Sequence, residues 1–308
     1  MLAVVNTPGG PEPVAIREIA EPELRPNEAL VAVHAFSLNR GELRLFQVRH
    51  EGWRPGQDIA GVVVKQAADG SGAPAGTRVV ALCDWEGWCE RAAVPGDRMA
   101  PIADNVSYGA AASLPVAGLT ALRTLRHGAP LLGKRVLVTG ASGGVGNLAV
   151  QIAVRSGARV TAVAGGAERA RVIEGLGAET IVMRIEDAPG RYELILEGAG
   201  GSSLTTALDK VEHRGTVVIF GNSSGEPTPI NFRDFAEHQN ARIQGFHYFT
   251  CEPAERFGPD LALLASLVAD GSLRPRIVEF DWHELPRVGP QLRDRKIAGK
   301  AIFTIPQK

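Results

Sequence analysis

At 308 residues the chain can bury one large core or two and needs no covalent staple. Its 33 Lys and Arg stand against 34 Asp and Glu, a formal net charge of −1 with no basic block, which argues against a nucleic-acid partner. Three cysteines, Cys83, Cys89 and Cys251, form no C-x-x-C pair, which argues against a disulfide framework and a four-ligand structural zinc and points to a reducing compartment.

The first residues, "MLAVVNTPGGPEP", lack a basic start and a continuous apolar run, and Pro8, Gly9 and Pro11 interrupt any signal-peptide core. No uninterrupted apolar stretch reaches the roughly 18 to 20 residues of a membrane span, so the expectation is a soluble cytoplasmic protein. Up to about residue 113, short apolar stretches such as "ALVAVHAF", "DIAGVVV" and "TRVVALC" alternate with Pro, Gly, Asn and Asp, the pattern of short strands joined by turns. From about 115 to 250 the rhythm becomes strand, helix, strand: "RVLVTG" and a helix through Ser156, "ARVTAVA", a helix over 167–175, "ETIVM", "YELILEGAG", a further helix and "GTVVIFG". "FGPDLALLASLVADGSL" reads as one more helix, and "RPRIVEF" and "AIFTI" as strands like those of the first region. The sequence therefore predicts an α/β protein: a doubly wound parallel sheet over 115–251, inserted into a discontinuous β-rich domain of residues 1–114 and 252–308.

The run "RVLVTGASGGVGNLAVQIA" ends its strand at Thr139 and starts its helix at about Val145. Gly140 permits a tight turn, Gly143 or Gly144 lets backbone approach a pyrophosphate beside Ser142, and Gly146 allows helix to pack closely on strand. The amide groups at the helix start then face the phosphates. At the end of the next strand, where an acid normally binds the ribose 2′-hydroxyl, stand Ala164, Gly165 and Gly166, followed by Arg169. Room for a 2′-phosphate with a guanidinium beside it favours NADPH over NADH; Arg171 reads as a solvated helix charge.

Several stretches together, "SLNRGELR", "PGQDIAGVVV", "PAGTRVVAL", "AASLPVAGLTAL", the glycine run, "IFGNSSG" and "GKAIFTI", resemble the zinc-independent quinone oxidoreductases of the medium-chain dehydrogenase/reductase superfamily. The resemblance implies a GroES-like catalytic domain, a Rossmann domain, an active-site cleft between them and a homodimer formed through the Rossmann sheets. By position it implies that Thr120 contacts the nicotinamide and that Gly143, Gly144 and Val145 form the diphosphate loop. Arg169 would meet the 2′-phosphate and Arg184 would line the adenosine pocket. Phe220, Gly221 and Asn222 would stand at the cleft edge, and Arg295 would be a phosphate partner. Zinc-dependent members of the superfamily carry a cysteine in the stretch matched by Asn39, Arg40, Gly41 and Glu42, and a histidine at Gln57. Amides bind zinc poorly in place of thiolate and imidazole, so no metal is expected.

Without a Lewis acid, the acceptor must bring its own activation, as a quinone or a conjugated enone does. Asn39 and Gln57 are candidate donors to a substrate oxygen, Asp58 and Glu42 are expected to orient Arg40 or Arg44, Trp53 could stack on a planar acceptor, and His50 could supply a proton near neutral pH. A family tyrosine is missing from the "LRLFQVRHEGWRPGQ" loop, which points to a specialised conjugated substrate. Cys83 and Cys89 read as inert thiols, Trp85 and Trp88 as packing residues, and "NSSG" as a turn rather than a G-x-S-x-G nucleophile elbow. Two alternatives stay open: an enoyl-thioester reductase, which needs a basic pocket from Arg40, Arg44, Arg49 and Arg54, and a non-catalytic NADPH-binding sensor or structural protein.

Overall fold

The computed structural model describes residues 1–248 and 257–307. Its described residues divide into two units, 1–119 with 257–307 and 120–248. The predicted domain break at 251–252 lies outside the described residues.

The chain opens with a hairpin of β1 (Leu2–Asn6) and β2 (Val14–Glu18). It continues through β3 (Glu28–Leu38), α1 (Arg40–Val48), β4 (Asp58–Lys65), β5 (Arg78–Leu82), β6 (Arg91–Pro95) and β7 (Met99–Pro101). Strand β3 buries Ala29, Val31, Val33 and Ala35 at every second position, the period of a strand with one face on a core. Helices α2 (Tyr108–Ala112) and α3 (Pro115–Arg126) follow.

The second unit then runs β8 (Arg135–Val138), α4 (Gly144–Arg155), β9 (Arg159–Val163), α5 (Ala167–Ile173), β10 (Thr180–Val182), β11 (Tyr192–Glu197), α6 (Ser202–Lys210), β12 (Val211–Ile219) and β13 (Arg242–Gly245). All neighbours in its sheet are parallel, in the order β10-β9-β8-β11-β12-β13. Counted from β8 as the first, this is 3-2-1-4-5-6, the Rossmann order, with its switch point where β8 and β11 lie side by side. Ligands of such sheets bind outside the carboxyl ends of the strands at that point.

The first unit resumes with α7 (Phe257–Ala269), β14 (Ile277–Asp281), α8 (Leu285–Arg293) and β15 (Lys300–Thr304). Its larger sheet has the order β14-β15-β3-β4-β5-β7, with β6 also paired to β3. Phe36 on β3 stacks on Trp88 at 5.1 Å and on Phe303 of β15 at 5.3 Å, so residues far apart in sequence close this core. Trp88 is the packing residue expected of it, and Cys83 and Cys89 are buried in the same core. The β-rich unit and the Rossmann-order sheet make the α/β fold read from the sequence.

Two registers of this sheet matter below. Ala301 of β15 faces Leu38 of β3, and Ser37 of β3 faces Asp58, the first residue of β4. Asn39, the residue that leaves β3, is therefore flanked by the starts of two strands, Lys300 on one side and Asp58 on the other.

Candidate active site

In the Rossmann-order unit the turn after β8 leads from Thr139 through Gly140, Ala141 and Ser142 to Gly143, the N-cap of α4. Gly140 has φ +59°, which L side chains rarely adopt. At Gly146 a Cβ would stand 2.3 Å from the Gly140 carbonyl oxygen and 2.7 Å from the Ala141 Cα, so only glycine lets the first turn of α4 lie against the loop. The first N–H groups of the helix have no acceptor within it and open on the carboxyl end of the sheet, beside Gly143, Gly144 and Val145. Ser142 is buried in the same turn.

One buried carboxylate braces this loop. Glu197, at the end of β11, is fully enclosed; its Oε1 accepts from Thr139 Oγ1 at 3.1 Å, Ala199 N at 3.0 Å and Ser203 Oγ at 2.8 Å, and its Oε2 from Gly200 N at 2.9 Å. Thr139 Oγ1 in turn accepts the N–H of Gly198 at 2.9 Å. The loop after β12 folds onto the same edge: Phe220 N donates to Glu197 O at 2.9 Å and Ser223 N to Gly198 O at 3.0 Å. A Cβ on Gly221 would stand 3.1 Å from the Gly198 oxygen, and Asn222 Oδ1 accepts from Ser224 Oγ at 2.9 Å. Phe220, Gly221 and Asn222 thus line the sheet edge near the glycine loop, and "NSSG" forms the turn expected of it.

At the end of β9, Gly165 N donates to Met183 O at 3.0 Å, which joins this corner to the residues after β10. Gly165 has φ +77°, and a Cβ there would lie 3.2 Å from Arg169 Nη1, so the guanidinium folds back over the strand end. Among the described residues Arg169 has no hydrogen-bond or ion-pair partner. Arg184, just past β10, flanks the same corner, exposed, with Glu186 at 3.4 Å and Asp187 at 4.0 Å. Thr120 is buried on α3, where its carbonyl accepts from Thr124 Oγ1 at 2.6 Å. Arg295 belongs to the other unit, exposed on a residue with φ +61° after α8.

In the β-rich unit the strand-end geometry gathers a buried polar cluster. Asn39 caps α1, and its N–H donates to Glu42 Oε2 at 2.7 Å. Its Nδ2 donates to Asp58 Oδ2 at 2.9 Å, and its Oδ1 accepts from Lys300 Nζ. Asp58 also accepts from Ser37 Oγ at 2.5 Å and Val116 N at 2.8 Å, and its Oδ2 lies 3.1 Å from Lys300 Nζ. Burial, then the neighbouring Asp58 charge, push the Glu42 carboxyl up to about 8, against the pull of the Asn39 N–H and Lys300. The expectation that Asp58 and Glu42 orient Arg40 or Arg44 is corrected here. Both hold Asn39, while Arg40 donates to Leu292 O at 3.1 Å and Arg44 is exposed. The reason is register: Arg40 and Arg44 point off the exposed side of a short helix, whereas Asn39 sits at the strand ends.

Gln57 is buried next to Asp58; its backbone carbonyl accepts from Cys83 N at 2.7 Å, and its Nε2 is enclosed with no acceptor among the described residues. His50 is exposed after α1 with Nδ1 2.8 Å from Glu51 O, and no hydrogen bond joins its ring to the Asn39 cluster. Trp53 meets Trp85 edge to face at 5.2 Å and carries the Arg49 guanidinium 5.4 Å from its ring centre. Arg54 pairs with Glu86, so three of the four arginines considered for a basic pocket are engaged elsewhere.

The cluster does not suit zinc. Its donors are an amide, carboxylates and an ammonium, and the nearby Cys83 thiol is pushed well up by burial, which keeps it protonated. Burial likewise pushes Cys89 up to about 12. Among the described residues no three His, Cys, Asp or Glu side chains form a metal-holding group, and no helix is long and apolar enough to cross a membrane.

A Rossmann-order sheet with a glycine cradle, in one chain with a β-rich unit of this topology, defines an oxidoreductase of the medium-chain dehydrogenase/reductase class. Residues 25–118 match the family described as alcohol dehydrogenase GroES-like domain, and residues 144–266 the family described as zinc-binding dehydrogenase. A Bacillus subtilis protein provisionally named a quinone oxidoreductase is 31% identical over 81% of this chain and 80% of its own. The bovine quinone oxidoreductase-like protein 2 is 26% identical over 95% of this chain and 89% of its own. The structure of Escherichia coli quinone oxidoreductase complexed with NADPH superposes with a TM-score of 0.84 at 21% identity, covering 99% of this chain and 100% of that one. The chain belongs to the quinone oxidoreductase-like family of the medium-chain dehydrogenase/reductase superfamily, and it is an oxidoreductase enzyme. Sequence reasoning singled out the glycine loop and the amide pair as candidates; it did not single out Lys300 or Glu197. For Glu197 the signal was a second acid, ending the otherwise apolar run of the strand "YELILE", and for Lys300 a lone cation opening "KAIFT".

Proposed function

We propose that the protein is an NADPH-dependent, zinc-free reductase that transfers hydride to a quinone or another conjugated carbonyl. Residues 115–251 serve as the cofactor domain and residues 1–114 with 252–308 as the GroES-like catalytic domain. The glycine turn, which Gly146 lets lie directly against the first turn of α4, fits a pyrophosphate held by the backbone of Gly140, Ser142, Gly143, Gly144 and Val145. Arg169, over Gly165 and without a partner among the described residues, fits a 2′-phosphate, with Arg184 beside it. Thr120, Phe220, Gly221, Asn222 and Arg295 complete the cofactor set. The bound cofactor supplies hydride from its reduced nicotinamide.

The chain's own residues then hold the acceptor and the charge it gains. A hydroquinone anion or an enolate spreads that charge, so neutral donors suffice where an alkoxide would require a metal. Asn39 and Gln57 are those donors; Trp53 and His50 serve at the rim, the ring to stack on the acceptor and the imidazole to supply a proton. The observation that carries the proposal is the donor set itself, amides with a carboxylate and ammonium at the strand ends, where a metal-dependent relative needs thiolate and imidazole. We further place the enzyme in the cytoplasm as a homodimer, to be checked by light scattering, where a concentration-independent monomer refutes the dimer.

The experiment is NADPH consumption by the purified chain across a benzoquinone, a simple enone, an enoyl thioester and an unactivated aldehyde. The quinone and the enone are expected to turn over and the aldehyde not. Turnover of the thioester alone would select the enoyl reductase alternative, and NADPH binding without consumption on any acceptor would select the non-catalytic one.

A further inference from the structure

We propose that Lys300 is a positioning residue for Asn39: its buried ammonium holds the amide in a single flip, leaving one Asn39 N–H to meet the nicotinamide or the acceptor oxygen. The inference rests on the reductase reading above for the use of that N–H, and on geometry alone for the lock.

A primary amide has one acceptor oxygen and two N–H donors. Here the oxygen accepts from Lys300 Nζ and one N–H donates to Asp58 Oδ2 at 2.9 Å. These two partners are themselves an ion pair at 3.1 Å, with side chains 7% and 0% exposed. Turning the amide over would set its NH2 against an ammonium and its oxygen against a carboxylate, two repulsions in a site that water barely screens. One flip is left, and with it one direction for the second N–H of a residue that is only half-buried. The ammonium also draws electron density through the conjugated amide, which makes the remaining N–H a stronger donor.

The arrangement has another sign of purpose. A buried ion pair contributes little net stability compared with apolar residues of the same volume, so it serves poorly as mere packing. The strand registers that face Ala301 with Leu38 and Ser37 with Asp58 bring the two charges to Asn39 from opposite sides. Glu42 completes the cage by accepting the Asn39 backbone N–H, which fixes the main chain from which the amide projects.

The test compares Asn39→Ala, the charge-free pair Asp58→Asn/Lys300→Met, and the triple variant. Removing both charges together avoids stranding a buried Asp58, and thermal unfolding confirms that each variant is folded. With NADPH and a benzoquinone, the charge-free pair is expected to lose about ten-fold in kcat. Asn39→Ala should lose a similar factor, and the triple variant no more than Asn39→Ala, because the charges act through the amide. NADPH affinity, set by the glycine cradle, should stay within about two-fold. Wild-type kcat in the charge-free pair, or losses that multiply in the triple variant, would overturn the proposal.

A second readout needs no turnover. In the 15N-labelled protein the two Nδ2 protons of Asn39 should be widely separated in shift and slow to exchange, and in the charge-free pair they should converge on the values of a solvated asparagine. Free-amide values already present in the wild type would refute the lock. If the wild type consumes no NADPH with any acceptor while the locked-amide signals are present, the reductase reading fails and the lock stands.

Discussion

Replacing Gly146 by alanine adds one methyl group at the tightest point of the glycine cradle. That carbon would lie 2.3 Å from the Gly140 oxygen, 2.7 Å from the Ala141 Cα and 2.8 Å from the Gly140 carbonyl carbon, all backbone atoms that cannot rotate away. Restoring an ordinary carbon–oxygen separation requires the loop and the first turn of α4 to part by about 1 Å. Overpacking of this kind costs about 1–3 kcal/mol of stability. The functional loss should be larger, because a misplacement of about 1 Å in a positioning element can cost roughly 10²-fold in rate. The assay pairs denaturant unfolding with a fluorescence titration of NADPH. Gly146→Ala should unfold earlier and bind NADPH at least about ten-fold more weakly, whereas Gly225→Ala, on an exposed turn with nothing within 4 Å of its Cβ, should leave the cradle intact despite its φ of +76°. Wild-type affinity in Gly146→Ala would show that the phosphates do not use this loop and would refute the reasoning.

Arg169→Glu should weaken NADPH far more than NADH, by about ten-fold or greater, since it sets a carboxylate where the 2′-phosphate is proposed to sit; equal losses for both cofactors in the same titration would move the phosphate pocket elsewhere. Gln57→Leu should lower kcat/KM for a quinone while leaving stability unchanged or raised, because it removes a buried donor that has no acceptor among the described residues; a normal kcat/KM would take Gln57 out of the site. For Glu42 the folded carboxyl is raised from 4.5 to about 8, so the folded state holds its proton more tightly than the unfolded chain. Its contribution is therefore full below about pH 4.5 and is lost as pH rises towards about 8. Thermal unfolding across that window should show Glu42→Gln gaining on the wild type towards alkaline pH by at least about 1 kcal/mol, the worth of one pKa unit, and parallel curves would contradict it.

Much of the fold is written in local patterns. The alternation of buried positions along β3 and the strand–helix rhythm from β8 to β12 need only side-chain period to read, and the glycine loop needs only backbone sterics. Helix α8 is not legible that way, because Gly289 and Pro290 stand inside it and read as breakers. The site divides along the same line. Asn39 and Gln57 can be singled out as amides where metal-dependent relatives carry ligands, but their surroundings depend on pairing between β3, β4 and β15. Lys300 is 261 residues from Asn39, and only the register of β15 on β3 brings it to the amide. Asp58 shows the limit from the other side: proximity in sequence suggested Arg40 or Arg44 as its partners, while the sheet gives it Ser37, Asn39 and Lys300. Glu197 is likewise set by the adjacency of β8 and β11, which sequence order alone does not state.

The central claim is hydride transfer to an activated acceptor without a metal. The direct measurement is quinone-dependent NADPH consumption by protein dialysed against a strong chelator, with metal content determined on the same sample. The account predicts full activity with no bound zinc and no gain when zinc is restored. Activity that disappears with the metal and returns with zinc would contradict it.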